Sequence, residues 1–531
     1  MSSAANLNRA VGSNIVTLTT DIASDIASER NLRVLFAGLT DVVLPDVEIT
    51  DLSIDSKQAR PGSAFIALQG LRSHGATFAS QAVKSGAAVV LWEPTQQTAT
   101  PELPAQAVGV AIPGLSSLLG TVADRFFGAP SRTVNVTAVT GTNGKTTTAY
   151  VLAAALSHLG KDAAYSGTLG HGRVTAVKPG THTTPDCITV HRQIAELRAE
   201  GVSHLGIEVS SHALDQQRMA GVRIDTAVFT NLTHDHLDYH GTLEAYGAAK
   251  ARLFGWPELR HAVINVDDAF GRELAASRMS ASRATLYGRS RHAEFEQAQY
   301  AVAQRVIAGP TGLQIDIESS WGSATLQSRF IGDFNVDNLL AVLAVLLGAG
   351  FPMERVIAAL GQCVPPPGRM ETFTAAGRPL VIVDYAHTPD ALEKALAAAR
   401  RHCAGNLYCV FGCGGDRDGA KRPVMGAIAE RLADVAIITD DNPRTEDGGA
   451  IVAAIQQGMA HPERAMVERN RATAIERAIS MAEAADAILI AGKGHEDYQI
   501  VGLEKRHFSD RDVAQAALTH SRANLRGKQH D

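Results

Sequence analysis

Short apolar runs alternate with amphipathic stretches along most of the chain, a pattern typical of α/β proteins. Within residues 32–132, strand-like runs at 64–68 and 87–92 flank a helical stretch at 78–85. From Thr133 the alternation is stronger, and it predicts strands at 134–139, 205–209, 227–231 and 262–266 and a helix at 146–159. Strand, loop and helix in repetition indicate a parallel sheet.

The pattern changes twice further along the chain. Alternating apolar residues within 300–330 predict an antiparallel edge, and a long apolar helix is expected from Val336. The proline-rich run 365–368 interrupts any helix, so it is a candidate hinge between domains. A second α/β series then begins, with strands predicted at 380–384, 407–411, 435–439 and 487–491 and a helix at 391–401.

These patterns predict an α/β protein of three domains, which a chain of 531 residues is long enough to form. We expect a leader at 1–31, to which we assign no function, and a small N-terminal α/β domain at 32–132. A central P-loop ATPase-like domain with a mainly parallel sheet is expected at 133–364. A Rossmann-like, doubly wound domain is expected at 365–531.

Composition and charge exclude several classes of protein. Apolar residues make up 45% and charged residues 20%, which is ordinary for globular proteins, and the net charge of −6 gives no general attraction for nucleic acid or anionic lipid. The five cysteines include no C-x-x-C pair, which favours a reduced cytosol over a disulfide scaffold. Neither a signal peptide nor a membrane-spanning run is recognisable. We therefore expect a cytoplasmic protein, a monomer, with no nucleic-acid partner and no membrane insertion.

The sharpest motif is 140–147, Thr-Gly-Thr-Asn-Gly-Lys-Thr-Thr, between a predicted strand and a predicted helix. Gly141 and Gly144 allow the backbone to curl around phosphate oxygens, and Lys145 can reach the β- and γ-phosphates. Thr146 can ligate Mg²⁺. The general phosphate-loop pattern has a glycine where Val139 stands, so the match is to a shortened variant.

Two further sequence features lie after predicted strands. Glu208 ends an apolar strand, where it could hold Mg²⁺, orient water or simply face solvent. His234, His236 and His240 lack the usual spacing of a structural zinc site, so they are helix-cap or polar-surface residues unless one binds a metal near the phosphate loop.

The order of four motifs resembles that of the Mur ligases, the ATP-dependent amide ligases of peptidoglycan precursor synthesis, on which cell shape and division depend. These motifs are 140–147, 208–212 (Glu-Val-Ser-Ser-His), 235–241 (Asp-His-Leu-Asp-Tyr-His-Gly) and 248–250 (Ala-Ala-Lys). The similarity extends from Asp55 to Glu496. In that family the shortened phosphate loop is the normal form.

The resemblance implies ATP and Mg²⁺ as cofactors and assigns roles to particular residues. The implied ATP-binding residues are Gly141, Thr142, Asn143, Gly144, Lys145, Thr146, Thr147, Asn335, Asn338, Arg369, Asp384 and His387. The implied metal ligands are Thr146, Glu208, His236 and a carbamylated Lys250, and the implied catalytic residues are Lys145, His236 and Lys250. On the residues alone, Asn338 could cap its helix and Lys250 could be a surface lysine or a phosphate contact.

The resemblance also implies two further binding sites. The residues that match the UDP-sugar and dipeptide site are Ser56, Thr183, Thr184, Ser210, Gln216 and Arg218. Lys57 stands where the family usually has Arg, and the two side chains differ in their reach toward phosphate. Those matching a diaminopimelate site are Arg417, Asp441, Asn442, Pro443, Arg444, Gly492 and Glu496. There, the Arg444 guanidinium suits the distal carboxylate and Glu496 suits the distal ammonium.

The implied reaction joins meso-diaminopimelate to the D-glutamate of UDP-N-acetylmuramoyl-L-alanyl-D-glutamate through an acyl phosphate. Two alternatives stay open at this point. One is another ligase of the same superfamily, which adds lysine to the precursor or glutamate to folate. The other is a nucleotide-dependent switch or regulatory ATPase without ligase chemistry, because a phosphate loop alone indicates only nucleotide binding.

Overall fold

The computed structural model describes residues 29–519 apart from 71–72, 96–99, 105–106, 279–282, 297 and 310. Residues 1–28 of the expected leader therefore lie outside the described part. The chain packs into two compact units. The smaller unit contains the described residues up to Asn135 together with Thr184–Ser203 and Ser210–Ile224, and the larger contains Val136–Thr183, His204–Val209 and the chain from Asp225 onward.

The helices and strands of the described residues follow each other in the alternation that the sequence predicts. The helices are α1 (Leu32–Leu35), α2 (Ala79–Lys84), α3 (Leu115–Phe126), α4 (Lys145–His158), α5 (Cys187–Ala199), α6 (Ser211–Asp215), α7 (Leu237–His240), α8 (Leu243–Ala251), α9 (Ala269–Arg278), α10 (Phe334–Gly348), α11 (Met353–Gln362), α12 (Pro389–Arg400), α13 (Lys421–Leu432), α14 (Gly448–Gln456), α15 (Arg471–Met481) and α16 (Asp510–Thr519). The strands are β1 (Leu52–Ser53), β2 (Ala64–Ala67), β3 (Val89–Trp92), β4 (Val108–Ala111), β5 (Asn135–Thr140), β6 (Ala163–Gly167), β7 (Gly170–Gly172), β8 (His204–Glu208), β9 (Thr226–Phe229), β10 (His261–Asn265), β11 (Arg283–Gly288), β12 (Gln299–Gly309), β13 (Gly312–Ser319), β14 (Gly322–Ser328), β15 (Glu371–Phe373), β16 (Leu380–Asp384), β17 (Leu407–Phe411), β18 (Val435–Ile438), β19 (Met466–Val467), β20 (Ala487–Ala491), β21 (Tyr498–Val501) and β22 (Glu504–His507).

The smaller unit is built on a parallel sheet in the order β1-β2-β3-β4. Strand β2 is apolar throughout because both of its faces are covered. Ala64 and Ile66 join the apolar cluster formed with α3 and the start of α5, whereas Phe65 and Ala67 join the cluster formed with α2. The small α/β architecture expected for this part of the chain is confirmed.

The larger unit contains a sheet in the order β14-β13-β12-β11-β10-β9-β5-β8-β6-β7. The pairs β12–β13 and β13–β14 are antiparallel, which confirms the expected edge, and β9 to β12 pair in parallel. Helices α4 and α10 pack in one apolar core against this sheet. The long apolar helix begins at Phe334, two residues before the expected Val336, because the polar Asn335 is buried inside its first turn and does not mark its start.

Strand β5 marks the point where the order of strands changes direction, since β8 lies on one side of it and β9 on the other. The loop after β5 therefore opens at a topological switch point, where ligands of open α/β sheets bind. Glu208 ends β8, and Thr230 and Asn231 follow β9. These residues consequently meet the loop at the same edge of the sheet.

The larger unit also contains a second sheet in the order β15-β16-β20-β17-β18-β19. Its pairs from β16 to β19 are parallel, and β15 is antiparallel. Alternate residues of each strand enter opposite apolar clusters: Leu380 and Ile382 pack with α12, α13 and α14, while Val381 and Val383 pack with α15 and α16. Helices on both faces confirm the doubly wound architecture.

Within the larger unit, His402 follows α12 and binds both the end of β12 and the residues just before α10. Its Nε2 accepts a hydrogen bond from the Gly332 amide at 3.1 Å, so its Nδ1 carries the proton that is donated to the Gly309 carbonyl oxygen at 2.6 Å. Arg401 forms an ion pair with Asp333 beside it. Burial lowers the pKa of His402, which keeps the ring in the neutral form that both bonds require.

Two negative findings concern the described part of the chain. None of its helices has the length and apolar character needed to cross a membrane. All five cysteines are free thiols.

A buried ion pair links α15 to α16. Nε of Arg471 donates to Oδ1 of Asp510 at 2.7 Å and Nη2 donates to Oδ2 at 2.8 Å, and both side chains are completely buried. The same Nη2 donates to the Ala491 carbonyl oxygen at 2.9 Å, at the end of β20. The pair therefore fixes the end of a central strand.

We predict that Asp510→Asn destabilises the chain strongly because it leaves the Arg471 guanidinium buried without a counter-charge. The loss is about 3 kcal/mol or more for a broken buried pair, which corresponds to a fall of about 6 °C or more in the unfolding midpoint of a domain of this size. Differential scanning calorimetry of the full chain measures it. The matched control is Asp390→Asn, whose partner Lys394 is half exposed, and its midpoint should move by less than about 2 °C. Equal shifts for both variants would contradict the prediction.

Candidate active site

The loop between β5 and α4 needs glycine at two positions. Gly141 and Gly144 adopt φ values of +149° and +84°, which side chains rarely tolerate. A Cβ atom on Gly141 would stand 1.9 Å from the Thr230 hydroxyl, and one on Gly144 would stand 2.3 Å from Oδ1 of Asn338. The loop consequently lies close against the end of β9 and the first turns of α10.

The loop is held in place by the residues that follow β9. The amides of Thr142 and Asn143 donate to the carbonyl oxygen and Oδ1 of Asn231 at 2.8 and 2.9 Å. The Thr230 hydroxyl donates to the Asn143 carbonyl oxygen at 2.6 Å. These two loop amides are thus used internally, and the amides left to meet a phosphate are those of the first turn of α4, which have no partner within the helix.

Lys145 is the first residue of α4 and its side chain turns back over the loop. Its Nζ donates to the carbonyl oxygens of Gly141 and Thr142 at 2.8 and 2.7 Å. Removal from bulk water lowers the pKa of Lys145, and the nearby Glu208 carboxylate opposes that shift. The ammonium is therefore already at the mouth of the loop.

Lys250 reaches the same carbonyl oxygen from α8. Its Nζ donates to the Gly141 carbonyl oxygen at 2.9 Å and lies 4.2 Å from the centre of the Tyr246 ring. The side chain is 1% exposed, so the alternative of a surface lysine is wrong. Burial, and secondly the Lys145 ammonium, hold the pKa of Lys250 well below its ordinary value. Two lysine nitrogens thus converge on one oxygen atom.

Glu208 is buried at the end of β8, so the alternative of a solvent-exposed carboxylate is wrong. Its Oε1 accepts from the Tyr165 hydroxyl at 2.5 Å and the Thr168 amide at 2.8 Å. Its Oε2 accepts from the Thr146 hydroxyl at 2.9 Å and the Thr168 hydroxyl at 3.3 Å. Burial and the adjacent carboxylate raise the pKa of Tyr165 well above its ordinary value, so Tyr165 acts as a donor to Glu208.

The Thr146 hydroxyl and the Glu208 carboxylate are oxygen donors of the kind that Mg²⁺ prefers, so this pair fits a hard divalent cation. His236 lies before α7 at a φ of +53°, with its side chain about half exposed and its ring 6.0 Å from that of Tyr246. Among the residues that the structure describes, no three His, Cys, Asp or Glu side chains are grouped so as to hold a metal ion. Glu208 and Thr146 are therefore a fixed pair of oxygen donors beside the phosphate loop.

The two asparagines of α10 are buried and bonded to each other. Nδ2 of Asn338 donates to Oδ1 of Asn335 at 2.9 Å, and the Thr148 hydroxyl donates to Oδ1 of Asn338 at 3.2 Å. Nδ2 of Asn335 donates to the Ile331 carbonyl oxygen at 2.8 Å. Asn338 lies inside the helix rather than at its start, so the helix-cap alternative is wrong. Both residues support the phosphate loop through α4.

Arg369, Asp384 and His387 come together at the carboxyl end of β16. Asp384 accepts hydrogen bonds from the amides of Met370 and Ala386 at 2.8 and 3.0 Å. Burial raises the pKa of Asp384, and the Arg369 guanidinium opposes that shift. Arg369 lies over the Tyr385 ring at 5.0 Å, whereas His387 is exposed, with its Nδ1 2.7 Å from the Tyr385 carbonyl oxygen.

The residues matched to an amino-acid site gather at the carboxyl ends of β18 and β20. Nδ2 of Asn442 donates to Oε2 of Glu496 at 3.1 Å. The Asp441 carboxylate lies against Gly492, where a Cβ would stand 2.6 Å from its Oδ2. Pro443 is buried between Asn442 and Arg444.

Arg417 and Arg444, the two predicted arginines, lie in loops that are joined by hydrogen bonds. Nη1 of Arg444 donates to the Gly415 carbonyl oxygen at 2.7 Å. The Thr445 hydroxyl donates to Asp416 at 2.8 Å, and Asp416 and Arg444 both adopt a φ of +52°. Arg417, next to Asp416, is exposed. Asp416 and Arg444 thus both adopt the left-handed backbone conformation, which is rare for residues other than glycine. Such conformations cluster at functional sites.

The residues matched to the UDP-sugar and dipeptide site are distributed over both units. In the smaller unit, Arg218 donates to the Thr184 carbonyl oxygen at 2.8 Å and to Oε1 of Gln216 at 2.7 Å, and the Ser210 amide donates to the Thr184 hydroxyl at 3.1 Å. Ser56 donates to Oε1 of Gln81 at 3.0 Å in the same unit. In the larger unit, Thr183 pairs with the Thr168 hydroxyl at 3.0 Å.

Sequence reasoning missed the residues that hold the predicted ones in place. Tyr165 and Thr168 lie in a segment without a motif, so no signal indicated that they contact Glu208. Lys493 lies between the predicted residues Gly492 and Glu496, in the run Gly-Lys-Gly-His-Glu at 492–496, and the resemblance gave it no role. Lys493 is completely buried. Its position between two residues assigned to the amino-acid site was the sequence feature that could have pointed to it.

Comparisons with known proteins match successive parts of the chain to one family. Three family models match: Mur ligase family, catalytic domain, at residues 48–127, Mur ligase middle domain at 139–346, and Mur ligase, glutamate ligase domain, at 368–494. A protein of Xanthomonas campestris pv. campestris named UDP-N-acetylmuramoyl-L-alanyl-D-glutamate--2,6-diaminopimelate ligase is 50% identical over 483 residues, which cover 90% of this chain and 96% of the relative.

Solved structures show the same architecture. A structure of a UDP-N-acetylmuramoyl-L-alanyl-D-glutamate--2,6-diaminopimelate ligase matches with a TM-score of 0.68 at 33% identity, covering 94% of this chain and 99% of that chain. MurF ligase from Thermotoga maritima in complex with ADP matches with a TM-score of 0.58 at 16% identity, covering 91% and 100%, a likeness of fold alone. With family models spanning most of its length and a half-identical relative covered almost completely, the chain belongs to the Mur ligase family.

Proposed function

We propose that this Mur ligase joins meso-diaminopimelate to the D-glutamate carboxylate of UDP-N-acetylmuramoyl-L-alanyl-D-glutamate, using ATP, in peptidoglycan precursor synthesis. The observation that carries the choice of amino acid is the grouping of Arg444, Asn442 and Glu496 at the carboxyl ends of β18 and β20. A guanidinium and a carboxylate together suit a group that bears both a carboxylate and an ammonium. The name of the half-identical relative supports the same reaction.

The chemistry begins with transfer of the ATP γ-phosphoryl to the D-glutamate carboxylate, which yields an acyl phosphate and ADP. Lys145 and the first-turn amides of α4 neutralise charge on the phosphate oxygens as the group moves. The diaminopimelate amine then attacks the acyl carbon, a tetrahedral intermediate forms, and inorganic phosphate leaves. Because the phosphoryl group activates the carboxylate, no protein nucleophile is required, and positioning supplies most of the rate.

Mg²⁺ would be held by Thr146, Glu208, His236 and Lys250 in its carbamylated form. When bound, it supplies further neutralisation of the phosphate charge. The chain's own contribution is the rigid mounting of Glu208, whose oxygens receive the hydrogen bonds of Tyr165, Thr146 and Thr168. That mounting keeps a carboxylate fixed beside the phosphate loop.

The carbamate on Lys250 is supported by the electrostatics of the Gly141 carbonyl oxygen. Both Lys145 and Lys250 donate to that atom, so two ammonium groups repel each other there. The Lys250 ammonium first loses a proton to solvent. The neutral amine then attacks carbon dioxide, an N–C bond forms and a second proton leaves, so that the cation is replaced by a carbamate anion. Repulsion then becomes attraction toward Lys145, and two oxygens become available to a hard cation.

The other matched residues bind the rest of ATP and the two remaining substrates. Asn335, Asn338, Arg369, Asp384 and His387 serve the nucleotide beyond its phosphates, Arg417 and Arg444 serve the distal carboxylate of diaminopimelate, and Ser56, Thr183, Thr184, Ser210, Gln216 and Arg218 serve the UDP-sugar dipeptide. The protein works in the cytoplasm as a monomer. Its three domains span 32–132, 133–364 and 365–531, with a hinge at 365–368.

The first prediction of the proposal concerns the product. With ATP, Mg²⁺, the UDP-linked dipeptide and an equimolar mixture of meso-diaminopimelate and L-lysine, mass spectrometry should find the precursor extended by one diaminopimelate. Phosphate release should require both the precursor and the amino acid. Lys145→Ala is the control, and it should form no product while keeping its circular dichroism spectrum, because its loss removes a charge from the phosphate site and not from a core.

Two outcomes would overturn the proposal. A lysine-extended product would assign the chain to the lysine-adding type and remove Arg444 from its role. Phosphate release without the precursor would favour a nucleotide switch or regulatory ATPase. Near-normal turnover by Lys145→Ala would refute the phosphate role of that residue.

The second prediction concerns Lys250. Lys250→Ala should lose most of its activity, and short carboxylates such as formate or acetate should restore part of it because they replace the anionic oxygens of a carbamate. Initial rates of phosphate release over a series of carboxylate concentrations measure the recovery. Lys145→Ala serves as the control and should gain nothing from carboxylates. Recovery of Lys250→Ala with alkylamines instead would indicate that the cation itself was needed.

A further inference from the structure

Lys493 is a completely buried lysine to which the proposed reaction gives no task. It lies in the turn after β20, and its Nζ donates to Oδ1 of Asn442 and to Oε2 of Glu496, both at 3.1 Å. The same ammonium lies 5.4 Å from the centre of the Tyr498 ring. Burying a lysine is costly unless its charge is paired, so these contacts account for its presence inside the protein.

The contacts of Lys493 fix the orientation of the Asn442 amide. Oδ1 of Asn442 accepts from the Lys493 ammonium at 3.1 Å and from the Ile500 amide at 2.9 Å. Neither of these donors can accept a hydrogen bond, so the amide cannot turn over. Its Nδ2 must then point to Glu496, and it donates to Oε2 at 3.1 Å.

Both hydrogen bonds that reach Glu496 arrive at the same oxygen. Oε2 accepts from Lys493 and from Asn442, whereas no group in the described part of the chain donates to Oε1. The Glu496 side chain is 17% exposed, so the carboxylate retains contact with solvent. The carboxylate therefore presents one committed oxygen to the protein and one available oxygen to a ligand.

We propose that Lys493 is a positioning residue for the amino-acid substrate, which holds Glu496 through Oε2 and the Asn442 amide so that Oε1 alone receives the substrate's distal ammonium. This inference rests on the proposed function, because it takes Glu496 as the group that binds that ammonium. Lys493 acts through Glu496 and touches no substrate. Loss of its ammonium should weaken binding of the amino acid without affecting the nucleotide or the UDP-linked precursor.

The test is a double-mutant cycle of Lys493→Met and Glu496→Gln in the full chain, with KM measured for each of the three substrates. Met retains the apolar stem of Lys and removes its charge. Lys493→Met should raise the KM for meso-diaminopimelate about 10-fold or more, as expected for a lost hydrogen bond to a charged group. The KM values for ATP and the precursor and the kcat should stay within about 3-fold, a smaller change than one such bond produces.

The cycle separates positioning from a general structural role. If Lys493 acts through Glu496, adding Lys493→Met to Glu496→Gln should raise the KM for diaminopimelate by less than about 2-fold, because coupled residues are not additive. The matched control is Lys505→Met. Its ammonium lies over the same Tyr498 ring at 3.8 Å, but Lys505 belongs to the exposed strand β22, and its loss should leave all three KM values unchanged.

Two results would overturn the inference: a common rise in all three KM values in Lys493→Met, or effects of the two substitutions that multiply in the double variant. If Lys493→Met fails to fold because Glu496 is left unpaired, the double variant removes that charge, and its KM compared with that of Glu496→Gln still decides. The unmodified enzyme is assayed first with diaminopimelate and lysine. A failure there counts against the proposed function alone, and the cycle is then measured with the amino acid that the enzyme uses.

Discussion

The active-site loop between β5 and α4 gathers positive charge, and the structure depends on holding that charge in place against the mutual repulsion of its cations. Lys145 and Lys250 both donate to the Gly141 carbonyl oxygen, and the amides at the start of α4 face the same region. The compensating charge is Glu208, which the end of β8 places beside Thr146. Parallel strands bring these groups to one edge, and glycine at 141 and 144 lets the backbone approach closely enough to join them.

The second sheet carries the proposed amino-acid site, which raises a related electrostatic problem. A site for a group with both charges needs fixed cations and anions at short range, and unpaired buried charges are costly. The larger unit meets this need with hydrogen bonds between side chains that come from different strand ends: Asn442 and Glu496 bind each other, and Lys493 binds both. Arg471, paired with Asp510, also binds the Ala491 carbonyl oxygen and so fixes the end of β20, the strand that precedes Gly492 and Glu496.

Much of the fold followed from the sequence because apolar periodicity and strand length carry it. The strands at Leu380–Asp384, Leu407–Phe411 and Ala487–Ala491 agree with the prediction residue by residue, since they are buried on both faces and read as continuous apolar runs. The predicted start of α10 was two residues late because the prediction followed the apolar run from Val336, whereas the helix also includes the polar, buried Asn335. The partners of Glu208 could not be predicted, because Tyr165 and Thr168 meet it through strand pairing that one sequence does not reveal. The same holds for the loop amides of Thr142 and Asn143, which bind Asn231 rather than facing outward.

The central claim is that the phosphate loop delivers a phosphoryl group to a carboxylate, which then accepts an amine. The most direct measurement uses precursor whose D-glutamate side-chain carboxylate carries oxygen-18, followed by mass analysis of the inorganic phosphate after turnover. An acyl phosphate intermediate requires one labelled oxygen in each phosphate released, because the bridging oxygen leaves with phosphorus when the amine attacks. Phosphate free of label, formed together with the amide product, would contradict the account.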